Sequence, residues 1–187
     1  MKLTDKLLVD ETDESEREIV EFGVNQLIAL GIGITISVLI SILLKEFVRT
    51  TLLLLCLLPL RQNAGGFHLK NRKICTAVSV TLLVSMVLMM KYTTIPRLAA
   101  LTIWAIGSIP IVTLSPIGNA NRELDDIERD VFGRRARMIW LVETTGFLSL
   151  WGVGLSCWYI IIMLSTVLTG LLVVIGYIQE CCFQTER

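Results

Sequence analysis

Residues 144–179 read TTGFLSLWGVGLSCWYIIIMLSTVLTGLLVVIGYIQ, thirty-six positions without one Asp, Glu, Lys or Arg. A membrane-spanning helix needs about 20 mainly apolar residues. The apolar run from Met138 to Ile178, interrupted only at Glu143, is therefore long enough for two crossings. Gly152 and Gly154 mark the turn between them. Working outward, Leu98–Asn121 and Leu27–Leu44 are also free of charge. With 53% apolar residues, 18% charged residues and a mean hydropathy of +0.69, the chain is excluded from the soluble globular class.

The remaining apolar segments complete an all-α polytopic membrane protein of about six transmembrane or re-entrant helices in one membrane-embedded domain, residues 1–187. Span 1 covers Leu27–Leu44, with Gly31 and Gly33 as sites of close helix approach. Span 2 is the weak one. Its uncharged stretch, Thr50–Leu60, covers only about 16 Å as a helix, so it is a candidate for a re-entrant segment as well as for a crossing. Span 3 covers Ile74–Met90. Span 4 covers Leu98–Leu114, and Pro110 predicts a kink within it. The two crossings of Met138–Ile178 follow. Residues 1–23 form an acidic surface segment, and residues 115–137 form a charged loop with acids first and arginines last. That loop reads as a self-paired amphipathic surface helix or as a recognition surface. Glu143 is a functional candidate as an intramembrane carboxylate, or a side chain that snorkels from near the start of span 5.

Six crossings put both termini on one side. That side then carries 13 of the 17 Lys and Arg residues, which makes it the cytoplasmic one. Residues 61–73 and 115–137 face the cytoplasm whether or not span 2 crosses. The first apolar run follows an acidic stretch and precedes no small-residue cleavage site, which argues against a secretory signal. Equal counts of basic and acidic residues, 17 each, argue against a nucleic-acid partner. Five cysteines, two of them inside spans, predict free thiols rather than a disulfide framework.

One segment holds candidate chemistry. Residues 59–75 read PLRQNAGGFHLKNRKIC. It contains the single His of the chain, a Gly65-Gly66 pair before it, four basic residues, no acid, and Cys75 at the membrane edge. Thiolates, not thiols, are nucleophiles, and cations or a helix N-terminus favour them. Asn71 is a good N-cap. A helix starting there puts Cys75 at the positive end of the dipole, beside Arg72 and Lys73. On one continuous helix His68 and Cys75 would be about 10 Å apart along the axis, so a dyad needs a bend between them. Gly65 and Gly66 permit a bend upstream, and a side chain at the head of a helix points back toward the preceding loop. His68 then serves as base to Cys75. The same residues also fit plainer roles: a histidine among lipid headgroups, a packing cysteine and a tight turn. No H-E-x-x-H or G-x-S-x-G motif is present, and one His cannot build a histidine-rich zinc site, so neither a metal nor a cofactor is expected.

Arg61-x-x-x-Gly65-Gly66-x-His68, followed after seven positions by Cys75, resembles the AgrB family. Ser115-Pro116 at the end of a span, opening an Arg-rich loop, fits as well. These are multi-pass cysteine endopeptidases of the bacterial cell membrane that process the precursor of an autoinducing quorum-sensing peptide. The resemblance implies that Cys75 is the nucleophile and His68 its base. It implies an AgrD-like precursor as partner: an amphipathic leader, a short core with an internal Cys or Ser, and an acidic C-terminal tail. The tail is removed through an acyl-enzyme thioester, and the core closes to a thiolactone or lactone. Arg61, Gly65 and Gly66 match motif positions that either shape the loop or hold the substrate. Lys70, Arg72 and Lys73 join Arg61 as cations suited to an acidic tail. Glycine-bearing helices in a small membrane protein are also compatible with a homodimer. The reading from another class is a non-enzymatic membrane protein, such as a peptide exporter or scaffold.

Overall fold

A computed structural model describes residues 14–66, 72–118 and 125–185, without the side chains of Arg72, Lys73, residues 183–185 and most of residues 14–30. The described residues form six helices: α1 Glu14–Leu43, α2 Phe47–Ala64, α3 Arg72–Tyr92, α4 Arg97–Leu114, α5 Asp126–Val153 and α6 Ser156–Thr185. Among them there is no strand, only an isolated parallel bridge between Gly65 and Ile117. The protein is an all-α membrane protein. Three helices are long and apolar enough to cross a membrane, through the segments Ile74–Tyr92, Arg97–Leu114 and Ser156–Cys182.

α6 is the central helix. Within its apolar segment 72% is buried, against 11% for that of α3, so α6 is core and α3 is largely outer surface. Around α6 pack α2, α4 and α5, while α1 pairs with α3 and leans on α2. Phe147 of α5 stacks on Trp104 of α4 at 4.7 Å and meets Tyr159 of α6 edge-on at 5.9 Å between centroids. Both geometries are favoured for aromatic pairs, adding about 0.5–1.5 kcal/mol beyond area burial. The outer surface displays Leu55, Leu98, Ile106, Ile109, Leu141 and Val142, all more than half exposed. Such a surface suits hydrocarbon, not water.

Several expectations hold and several are revised. Gly154 adopts the left-handed conformation, φ 84°, and its N–H reaches the carbonyls of Leu150 and Trp151, so the turn between the last two helices lies where the glycines indicated. α2 is a continuous 18-residue helix, about 27 Å long, not an 11-residue stub. Its Leu53, Leu57, Leu60 and Ala64 are buried, so neighbouring helices supply the apolar surroundings that its own sequence lacks. α4 continues as helix through Pro110. The close approach expected at Gly31 and Gly33 is absent: nothing comes within 4 Å of a Cβ at either. It occurs instead at Gly107 and Gly170, where the backbones of α4 and α6 touch and a side chain on Gly170 would overlap the Gly107 carbonyl. Residues 126–137 of the charged loop are the first three turns of α5 and not a separate surface helix. Asp125 caps that helix by accepting from the Asp126 N–H at 2.8 Å, and Asp126 and Glu128 complement the dipole. Glu143 is buried, not snorkelling.

The bundle has two distinct ends. At one, the Arg97 guanidinium donates to the Gly152 carbonyl and lies 4.4 Å over the Trp151 ring, whose Nε1–H returns a bond to the Arg97 carbonyl. Lys91 there donates to the Leu44 carbonyl at 3.0 Å. At the other end meet the close of α2, the start of α3, the close of α4 and the charged half of α5. The two polar segments singled out by sequence thus share one end.

Candidate active site

At that second end, α2 stops because Gly65 takes φ 73°, ψ −151°, while its N–H still reaches the Arg61 carbonyl at 3.1 Å. Gly66 follows at φ 126°. Neither conformation suits a side chain. The segment after α4, Ser115–Ile117, lies against this turn: Ile117 N–H donates to the Ala64 carbonyl at 3.1 Å. A Cβ on Gly65 would overlap the Ile117 carbonyl, and one on Gly66 would stand 3.0 Å from the Leu172 carbonyl of α6. Gly133 of α5 closes the corner, where a Cβ would stand 3.0 Å from Pro116. Ala64, Ile117, Ala136 and Val173 form the small buried core beneath. Of the two roles left open for the glycine pair, this packing supports loop shaping.

Gly65→Ala adds a clash to a strained φ, and each effect typically costs about 1–3 kcal/mol. A destabilisation of about 2–4 kcal/mol is expected, read as a fall in unfolding midpoint of the purified protein. An unchanged midpoint would show that the turn does not depend on glycine.

Cys75 occupies the first turn of α3, which opens at Arg72, and is half-buried with a free thiol. It is the fourth residue of that helix, near the positive end of the helix dipole. Arg61, in the last turn of α2, is also half-buried. Burial holds its guanidinium below the ordinary value, and a thiolate at Cys75 acts in the opposite sense, favouring the cation. The two residues are 14 apart in sequence and close enough in space to interact electrostatically. Sequence reading did not pair them; it named Arg61 only as a motif position and a cation for the acidic tail.

Arg72 and Lys73 open α3, with side chains outside those described. His68 and Lys70 lie outside the described residues. Among the described residues α2 ends at Ala64 and α3 begins at Arg72. Around the same end, Arg129 of α5 stands 3.9 Å from Glu180 of α6, an exposed contact of small energetic weight. Among the described residues no group of three His, Cys, Asp or Glu side chains could hold a metal ion.

A family model described as Accessory gene regulator B, AgrB, matches residues 1–177. The chain belongs to the AgrB family. Membership links this AgrB protein to AgrD processing in quorum sensing. The match extends through all six helices up to Tyr177 of α6, not only through the basic segment. Neither the curated proteins nor the solved structures gave a match.

Proposed function

We propose that this AgrB protein is a membrane cysteine endopeptidase that removes the acidic C-terminal tail of an AgrD-like precursor. The observation that carries the proposal is Cys75 in the first turn of α3, electrostatically close to Arg61. A cation and a helix N-terminus both stabilise the anion of an attacking sulfur.

The reaction follows from that chemistry. His68 takes the Sγ proton, and the sulfur attacks the carbonyl carbon after the last residue of the peptide core. The C–N bond breaks, the tail leaves as an amine carrying the proton from His68, and the core remains as a thioester on Cys75. The internal Cys or Ser of the core then gives its proton to His68 and attacks the thioester carbonyl. The C–Sγ bond breaks, the ring closes, and Cys75 regains its proton. Limited water at the membrane edge favours closure over hydrolysis. Arg61, Lys70, Arg72 and Lys73 supply positive charge for the acidic tail. Each exposed pair contributes about 0–1 kcal/mol, so the four act together. The glycine pair sets the path of the chain between Arg61 and His68.

In this reading residues 61–75 and 115–137 face the cytoplasm, and residues 1–187 form one multi-pass domain with an acidic N-terminal segment. Thiol labelling checks the orientation. In inside-out vesicles a membrane-impermeant maleimide is expected to modify Cys75, and in right-side-out vesicles to leave it untouched. Cys56 inside the bundle should stay unmodified in both. Labelling of Cys75 from the outer face would reverse the assignment.

A further inference from the structure

Glu143 takes no part in the chemistry above. Its side chain is 7% exposed, and both carboxylate oxygens are buried without a hydrogen-bond partner among the described residues. Two anchors fix what it faces. Ala136 packs with Ala64 of α2 and Val173 of α6, and Phe147 meets Tyr159 of α6. In the antiparallel register these contacts impose, Glu143 is level with Ser165 and within one turn of Thr169. From α2, Cys56 is close enough to Glu143 for electrostatic interaction.

Ser165 and Thr169 are fully buried, and neither hydroxyl has a partner among the described residues. That is unlike most helical hydroxyls of this chain. Thr166, the next residue, donates to the Ile162 carbonyl at 2.9 Å, Ser108 to Trp104 at 2.9 Å and Thr145 to Leu141 at 2.9 Å. Bonding back to the carbonyl four residues earlier is the usual outcome for Ser and Thr in an apolar helix. Ser165 and Thr169, four apart on one face, keep their oxygens free instead.

A carboxylate inside an apolar bundle must be compensated. The oxygens gathered here are hard donors: two from the carboxylate and two hydroxyls. With the carboxyl ionised they carry one negative charge, which balances one positive charge and leaves a divalent ion half-neutralised. We propose that Glu143, Ser165 and Thr169 form an intramembrane site for a small monovalent alkali cation of sodium size. The site lies between α5 and α6, about 10 Å along α5 from the Ala136 level. It is independent of peptide cleavage, and its test needs no substrate.

The full-length protein in detergent micelles is titrated with sodium chloride, replacing N-methylglucamine chloride at constant ionic strength and pH. Thermal unfolding is followed by tryptophan fluorescence. A saturable rise in the midpoint with sodium is expected. Glu143→Gln should remove it. Thr169→Val, which keeps shape, and Ser165→Ala should each raise the half-saturating sodium concentration by about tenfold. Should Glu143→Gln not fold, the two hydroxyl variants decide alone. A native midpoint indifferent to sodium, a midpoint responsive to pH alone, or unchanged sodium dependence in both hydroxyl variants would overturn the proposal.

Discussion

Replacing Cys75 with alanine is expected to reduce tail release by at least about 10³-fold, roughly 4 kcal/mol of transition-state stabilisation. Cys56 is half-buried inside the bundle, and Cys157, Cys181 and Cys182 are on other elements, with Cys157 just past the Gly154 turn at the opposite end. Cys75→Ser should fare little better. A hydroxyl in the same first turn still gains from the helix N-terminus, but an alcohol ionises far less readily than a thiol, which leaves at most a trace of cleavage. Structural failure is not the cause to expect. Cys75 is half-buried on α3, the least buried of the three long apolar helices, so loss of its sulfur removes little packing. Membrane content of the variant, measured beside tail release, checks that separation. Retained cleavage in Cys75→Ala would remove the nucleophile from the mechanism. A peptide exporter or scaffold would tolerate both substitutions.

His68→Ala should cost about 10²–10⁴-fold in cleavage, the usual contribution of a positioned general base. The chain leaves α2 at a fixed point, because Gly65 is pinned by Ile117 and Gly66 by α6. It enters α3 at Arg72, only six residues after Gly66. His68 lies outside the described residues, two positions from the first anchor and four from the second in sequence. The loss should fall on tail release and leave membrane insertion and the unfolding midpoint unchanged. Full activity of the variant would leave Cys75 without its base, and a lower midpoint would make His68 a structural residue.

How much of this was legible in the sequence differs between elements. Glycine at a helix turn is a local signal, and Gly152–Gly154 read correctly. The Asn71 cap read for the start of α3 lies outside the described residues, which resume at Arg72. α2 was read as the weak span and is not among the three helices apolar enough to cross; what sequence reading missed was its 18-residue length, packed against α1, α5 and α6. Arg49 and Arg61 lie in its first and last turns. Gly31 and Gly33 were chosen over Gly107 and Gly170 because sequence says that a residue is small, not which helix will lie across it. The same limit applied to Glu143. Its distance from the span's start was counted from Met138, but α5 begins twelve residues earlier, and Glu143 falls among the buried residues of that helix, with Ala136 and Phe147.

In the candidate site, residue types carried more than geometry. The single His, the cysteine, the glycine pair and the four cations stand together in seventeen consecutive positions, and composition alone singled them out. The contact of Gly65 with Ile117 and the approach of Arg61 to Cys75 were not legible. The first joins the end of α2 to the segment after α4, and the second joins α2 to α3. Ile117, an apolar residue between Pro116 and Gly118 in a polar stretch, was the one hint that this corner is buried.

The most direct measurement is mass spectrometry of an AgrD-like precursor co-expressed with the native chain and, in parallel, with Cys75→Ala. Release of the acidic tail by the native chain alone, with the core recovered as a ring one water lighter than its linear form, is the predicted result. An intact precursor beside a properly inserted native chain, or equal release by both proteins, would contradict a cysteine endopeptidase.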